Sequence, residues 1–257
     1  MMWNKLDIGS GRPLILLHGI GMSHKAWNPI IPILSQSRRV IAFDIAGFGD
    51  SPKFDLNLEP TIENLVKALA EQLHEIGIDE PVDIVGNSMG GWMALEAARI
   101  GLASSVVAIS PAGLWLKSPA HVKTIFFSLR YTIKLMPWFS RELMKFGICR
   151  EIFLAVPVSI GGRKISPEDA INSINDFSKA SDFERTFSNA GRFIDGKNIK
   201  IPLTIAFGSK DWLLTRKDCQ IKQELPKQTK WIEPKGWGHV PMWKDPNGVA
   251  NLILENI

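Results

Sequence analysis

Val85-Gly86-Asn87-Ser88-Met89-Gly90-Gly91 decides the reading of this chain. It follows an apolar run, Val82-Asp83-Ile84-Val85, and precedes a segment with helical spacing, Trp92 to Ile100. A strand, a sharp turn and a helix with a serine at the apex form the G-x-S-x-G arrangement of a nucleophile elbow. The spacing has a physical cause. A serine on a strained turn needs residues without bulk two positions to either side, because strand and helix backbones crowd there. Gly86 and Gly90 supply that room, and Gly91 lets the helix approach the sheet. Ser88 is then exposed at the carboxyl edge of the sheet, and the Met89 amide at the helix start can donate to an oxyanion. The competing reading is a glycine-rich turn whose serine only caps a helix, and the rest of the chain has to decide between them.

Outward from the elbow, apolar runs alternate with helical patterns. Pro13 to Leu17 is strand-like and ends in His18-Gly19-Ile20-Gly21; a helix-like piece, Trp27 to Leu34, leads to a second run, Arg39 to Asp44. A short strand, Trp3 to Ile8, fits before Pro13. Thr61 to Ile76 repeats apolar residues at helical spacing and stops at Gly77. Beyond the elbow come the strand Ser105 to Ile109 and, after a long interval, Pro202 to Gly208, a helix over Thr215 to Leu225, Lys230 to Glu233, and a last helix from Asp245 to Ile257. Runs that are apolar on both faces suit strands covered by helices on both sides. The fold class is therefore α/β, with a mostly parallel central sheet and helices on both faces. From Pro111 to about Asn198 strand-like runs disappear and Trp, Phe, Met and Lys/Arg mix at helical spacing. This is read as an inserted helical cap over 112–198, the core being 1–111 and 199–257.

Composition is that of a globular protein, 45% hydrophobic and 22% charged, which argues against disorder. The net charge of +4 is uneven, because Lys117 to Arg150 holds seven Lys/Arg and one Glu. A solvated helical face is the plainer reading of that segment; attraction of anionic substrates or membrane surfaces is the functional one. Nucleic acid is not an expected partner. Cys149 and Cys219 have no metal or redox spacing and are read as unpaired thiols of a reducing compartment. The start has no secretory pattern, and the longest charge-free stretch, Ile100 to Leu116, is broken by Gly and Pro, so a soluble cytoplasmic protein is the default. No metal or cofactor is implied.

A serine hydroxyl is a weak nucleophile at neutral pH and needs a base that is itself oriented by an acid. Among five histidines, His239 in Gly236-Trp237-Gly238-His239-Val240 follows the last predicted strand and is the candidate base. His18 reads as structural, His24 as a pocket-lining residue, and His74 and His121 as surface residues. Asp211, in Gly208-Ser209-Lys210-Asp211, follows a buried strand and is the candidate acid, whereas Asp44 is read as bracing the glycine-rich loop after it. The amides of Ile20 and Met89 are the expected oxyanion donors. Gly19, Asn87, Trp115, Trp138, Val240 and Trp243 are candidate substrate contacts, with Phe126, Phe127, Phe139 and Phe153 of the cap as further pocket candidates.

Together these segments resemble the α/β-hydrolase superfamily over nearly the whole chain. His18-Gly19-Ile20-Gly21 matches its oxyanion motif, Asp44 to Ser51 its D-x-x-G-x-G-x-S loop, Gly86 to Gly90 its elbow, and Asp211 and Gly238-His239 its acid and base segments. The resemblance implies Ser88 as nucleophile, His239 as base and then acid, and Asp211 as orienter. Serine in place of aspartate at position 88 argues against the haloalkane dehalogenase and epoxide hydrolase branches. The elbow is similar to that of meta-cleavage-product hydrolases, which cleave carbon–carbon bonds. Those enzymes tend to carry a tryptophan after the catalytic histidine and a cap arginine; here Val240 follows His239, Trp243 comes later, and Glu168 to Asn175 has no arginine. The expected activity is hydrolysis of small to medium acyl esters through an acyl-enzyme. The alternatives are a carbon–carbon hydrolase and a ligand receptor of the same fold that does not turn over.

Overall fold

The apolar runs become strands of a single seven-stranded sheet. The computed structural model describes residues 2–215 and 219–257. The strands are β1 (Lys5–Ile8), β2 (Pro13–Leu17), β3 (Arg39–Phe43), β4 (Val82–Asn87), β5 (Ala103–Ile109), β6 (Leu203–Ala206) and β7 (Lys230–Ile232). Their spatial order is β1-β3-β2-β4-β5-β6-β7, and only β1 is antiparallel to its neighbour. Strand β2 and Val40–Phe43 of β3 are buried along nearly their whole length, which is why their sequences are continuous rather than alternating, while the equally buried β4 carries Asp83 and Asn87 among its apolar residues. Each fully buried Leu or Ile there contributes about 1.5–3 kcal/mol of transfer free energy, so the centre of the sheet carries much of the hydrophobic stabilisation.

Register positions the site. Leu17 lies beside Gly86, Asn87 beside Ile109, and Ile109 beside Ala206. The loops that leave β2, β4, β5 and β6 therefore emerge together at the carboxyl edge, where open α/β sheets bind ligands.

Helix α2 (Ile62–Glu75) begins at Thr61, whose side chain accepts from the Asn64 amide, and α3 (Met89–Arg99) begins at the elbow. The helix read over Trp27 to Leu34 is a 3-10 turn, His24–Trp27, followed by the single turn α1 (Ile31–Leu34). The break falls at Asn28-Pro29: Asn28 keeps helical dihedrals (φ −46°, ψ −41°), but Pro29 supplies no amide to continue the hydrogen-bond ladder. Part of the helix expected over Thr215 to Leu225 lies on 216–218, outside the described residues, and from Ile221 to Leu225 the backbone is irregular with turns.

Between β5 and β6 the chain forms α4 (Ala120–Leu135), α5 (Pro137–Leu143), α6 (Gly147–Leu154), α7 (Pro167–Lys179) and α8 (Phe183–Ser188). The final helix, α9 (Pro246–Leu254), is capped by Asp245. The helical insertion is stapled internally by Arg130. Its buried guanidinium donates to Glu184 and to the carbonyls of Phe177 and Ala180, and lies 4.8 Å from the Phe183 ring centre. It is tied to the sheet domain by the amides of Ser181 and Asp182 on the Gly47 carbonyl (2.9 and 3.3 Å) and by Val240 on the Val158 carbonyl (2.7 Å).

Candidate active site

The elbow is as crowded as its glycines require. A methyl group at Gly86 would sit 2.0 Å from the Gly90 carbonyl oxygen, and one at Gly90 would sit 2.1 Å from that of Leu17. Ser88 itself has φ 55° and ψ −115°, a conformation that costs a non-glycine residue on the order of 1–3 kcal/mol. Its amide donates to the Ile109 carbonyl (3.0 Å) and its carbonyl accepts from Trp92 and Ala112, so the strain is held by the strands and helix around it.

Asp211 and His239 come together across 28 residues. The His239 Nδ1–H donates to Asp211 Oδ2 at 3.0 Å, while Asp211 Oδ1 accepts the amides of Leu213 (3.0 Å) and Leu214 (2.8 Å). Burial would raise the Asp211 carboxyl; the imidazole of His239 and the Leu214 amide outweigh it and hold the pKa below the usual carboxylate range. With one ring nitrogen fixed on the carboxylate, the lone pair is on Nε2, which is buried and without a hydrogen-bond partner. Ser88 and His239 line the same cavity, and no hydrogen bond joins them among the described residues. Asn87 links the two elements, since its Nδ2 donates to the carbonyls of His239 (2.9 Å) and Ile109 (3.1 Å).

The amides of Ile20 and Met89 enter none of the hydrogen bonds among the described residues; Met89 opens α3, where a helix leaves its first amides free. Unpartnered donors beside a strained serine and an orphaned imidazole nitrogen are polarity held back from the protein, at about 1–3 kcal/mol for each buried group.

Two apolar chambers meet at Ser88 and Ile20. The larger, about 200 Å³, runs under the helical insertion between Phe126, Ile133, Phe153 and Phe177 and includes His239, Val240, Gly19 and Asn87 in its wall. The smaller, about 50 Å³, includes Met89, Trp92, Trp115, Phe126, Phe187 and Leu213. Among the described residues, no Lys, Arg, Asp or Glu lines either.

Several sequence-predicted residues are not brought in. Trp138 is 73% exposed and lines neither chamber, because α5 turns it outward. His24 is drawn to Asp44 (Nδ1 to Oδ1, 2.8 Å), and Trp243 packs in the interior away from both chambers. Phe127 packs edge-on to Phe183 and Phe187 instead of facing a chamber. His18 is buried; its Nε2 accepts the Ile45 amide and its Nδ1–H donates to the Gly19 carbonyl. Asp44 accepts the Asp50 amide (2.9 Å), which braces the glycine loop. Residues the sequence reading passed over include Met22, Ser140, Ile174 and Val158 in the larger chamber. Ile174 and Phe177, three apart on α7, were the readable signal.

Among known proteins, a hydrolase of Metapseudomonas resinovorans acting on 2-hydroxy-6-oxo-6-(2'-aminophenyl)hexa-2,4-dienoic acid is 38% identical over 114 residues, 42% of this chain and 39% of that enzyme. The matched stretch thus spans about two-fifths of that relative's length. In structure, the chain is similar to a serine hydrolase of carbazole degradation (TM-score 0.74, 24% identity, 98% of this chain and 93% of that one). It is also similar to an esterase of Thermogutta terrifontis (TM-score 0.71, 20% identity, 98% and 92%). At those identities the structural likeness speaks for the fold. The model of the alpha/beta hydrolase family matches residues 14–252, nearly the entire sheet domain with its helical insertion, and the chain belongs to that family.

Proposed function

We propose that the protein is a serine carboxylesterase in which Ser88 attacks, His239 moves the proton, Asp211 holds the imidazole, and the Ile20 and Met89 amides receive the oxyanion. The observation that carries this reading is the lining of the larger chamber, which is apolar and, among the described residues, holds no charged side chain around Ser88. An ester presents a neutral carbonyl between apolar groups and needs no counter-ion to enter.

In the first step the Ser88 hydroxyl proton passes to His239 Nε2 as Oγ bonds to the carbonyl carbon. The carbonyl oxygen takes the negative charge between the two amides, each such donor contributing roughly 3–4 kcal/mol in the transition state. Collapse expels the alcohol oxygen, which takes the proton from Nε2 and leaves an acyl-enzyme. Water then repeats the sequence, giving its proton to Nε2 and releasing the acid. In the free enzyme Nε2 has no partner, and catalytic contacts of this kind often tighten only when substrate is bound.

Proton transfer also assigns the chambers. The leaving alcohol must be on the His239 side, and His239 lines only the larger chamber. The acyl group then occupies the smaller one, beside Met89. The favoured substrates are esters joining a short acyl group to a larger apolar alcohol. Octyl acetate and methyl nonanoate are isomers, and octyl acetate should have a kcat/KM higher by about tenfold or more. Faster turnover of methyl nonanoate would reverse the chamber assignment, while p-nitrophenyl acetate turnover that survives Ser88→Ala at full rate would end the serine mechanism.

Carbon–carbon cleavage is the second reading, favoured by the elbow and by the name of the Metapseudomonas relative. Its substrate would carry a carboxylate into a chamber that no cation lines among the described residues, which weighs against it. Cleavage of a 2-hydroxy-6-oxo-dienoate faster than any simple ester would establish it.

A further inference from the structure

The helical insertion wears its apolar residues on the outside as well as the inside. Among the described residues, seventeen large hydrophobic side chains are exposed, and nine of them fall between Tyr131 and Phe153. Trp138 is 73% exposed, Ile152 65%, Leu135 64% and Phe146 60%. Isolated exposed hydrophobics need no explanation, but this concentration on three consecutive helices does.

Two further observations say what covers this surface. Met136, Phe139 and Phe153 are each about half exposed and also line the larger chamber, so the outer patch runs continuously into the cavity that reaches Ser88. The patch is also basic. Lys134, Arg141 and Lys145 are exposed within it. Of the nearby acids, Glu184 is shared between Arg130 and Lys134 (3.4 Å to the lysine), Glu142 is paired with Lys145 at 2.7 Å, and Glu151 is turned into its own loop by the amides of Gly161 and Arg163, which leaves Arg141 as the patch cation held by none of these carboxylates. Two copies of this face apposed would bring like charges together. A bilayer rich in anionic lipid meets both features at once, receiving the aromatic and aliphatic side chains and neutralising the cations.

We infer that α5, α6 and the end of α4 form a docking surface for anionic lipid, placing the mouth of the larger chamber against the bilayer. No helix among the described residues is long and apolar enough to cross a membrane, so the association is peripheral.

The test is co-sedimentation of the full chain with vesicles of phosphatidylcholine alone or with about 30% phosphatidylglycerol. Wild type should bind the anionic vesicles at least about tenfold more tightly, with affinity falling as salt rises. Combined Trp138→Asp and Ile152→Asp should abolish binding, and combined Arg141→Glu and Lys145→Glu should remove the preference for phosphatidylglycerol. Both variants lie outside the chambers and should hydrolyse p-nitrophenyl acetate at the wild-type rate, which shows that they fold. Ser88→Ala should bind vesicles normally, so the result does not depend on turnover. Equal sedimentation with both vesicle types, or unchanged binding by either double variant, would overturn the inference. So would sedimentation velocity showing a wild-type dimer that Trp138→Asp and Ile152→Asp convert to monomer, which would assign the face to a second copy.

Discussion

The two ends of β4 are five residues apart and treat polar atoms in opposite ways. At the amino end, the buried carboxylate of Asp83 is saturated. Oδ1 accepts from Arg12, Ser104 and Ser105 at 3.1, 2.8 and 2.6 Å, and Oδ2 accepts from Arg38 at 2.5 Å. At the carboxyl end, Asn87 Oδ1 and His239 Nε2 are buried with no partner, and Ser88 is held in a strained conformation. Buried polar groups in proteins are ordinarily satisfied, and each exception needs a reason. One end of the strand is finished as structure, and the other is left incomplete where a substrate would complete it.

That contrast predicts that isosteric changes at the two ends fail in different ways. The largest expected effect is Asp211→Asn. The amide can still occupy the site, but it no longer enforces a proton on Nδ1, so kcat should fall on the order of 10^3–10^4-fold. The thermal midpoint should move far less than that rate implies; a kcat within threefold of wild type would remove Asp211 from the mechanism. At the other end, Asp83→Asn should cost about 2–3 kcal/mol of stability through its lost charge-assisted hydrogen bonds. Its kcat/KM at a temperature where it stays folded should match wild type, and a large rate defect would collapse the distinction between the ends.

Asn87 sharpens the comparison because it serves both purposes. Asn87→Ala removes the two hydrogen bonds that fix the His239 loop and the end of β5. Each is worth about 1 kcal/mol net, so urea unfolding should register a loss of roughly 2 kcal/mol. Because the His239 carbonyl loses its tether, kcat should also fall, by about tenfold, with KM nearly unchanged. A stability loss without a rate loss would mean that the Asp211 contact alone positions the imidazole.

The same division governs what could be read from the residues. The strands were legible because a sheet covered on both faces demands unbroken apolar runs, and Pro13–Leu17 and Val40–Phe43 show them. The elbow was legible because its geometry is local: glycines at 86 and 90 answer contacts within a few residues or with one neighbouring strand. The Asp211–His239 pairing was accessible only through segment order, since nothing in composition joins residues that far apart. The helical insertion resisted. Its helices are apolar on the inward and outward sides alike, so aromatic identity did not tell Phe126 in the chambers from Trp138 in solvent. His24 was misplaced for a related reason: its partner, Asp44, is 20 residues away on a different strand end.

The smallest effect is in pH, where the saturated end makes its own prediction. Burial would raise the Asp83 carboxyl, but the hydroxyls of Ser105 and Ser104 and the guanidinium of Arg38 more than offset it, and its pKa is held below the ordinary 3.8. A depressed folded-state pKa means that the unfolded chain takes up the proton first. The carboxylate's contribution is therefore complete above 3.8 and is lost as pH falls through the lower folded-state value. Asp44, Glu151, Glu184 and Asp211 are depressed as well, so wild type alone cannot isolate Asp83. The difference from Asp83→Asn can, because the other four groups cancel. That difference should be about 2–3 kcal/mol at neutral pH and shrink as pH falls below 4, where wild type carries a neutral acid much like the amide. Urea midpoints of the two proteins across that range measure it, at about 1.4 kcal/mol for each unit of pKa depression. A gap that stays constant would show that Asp83 contributes through the shape of its hydrogen bonds and not through its charge.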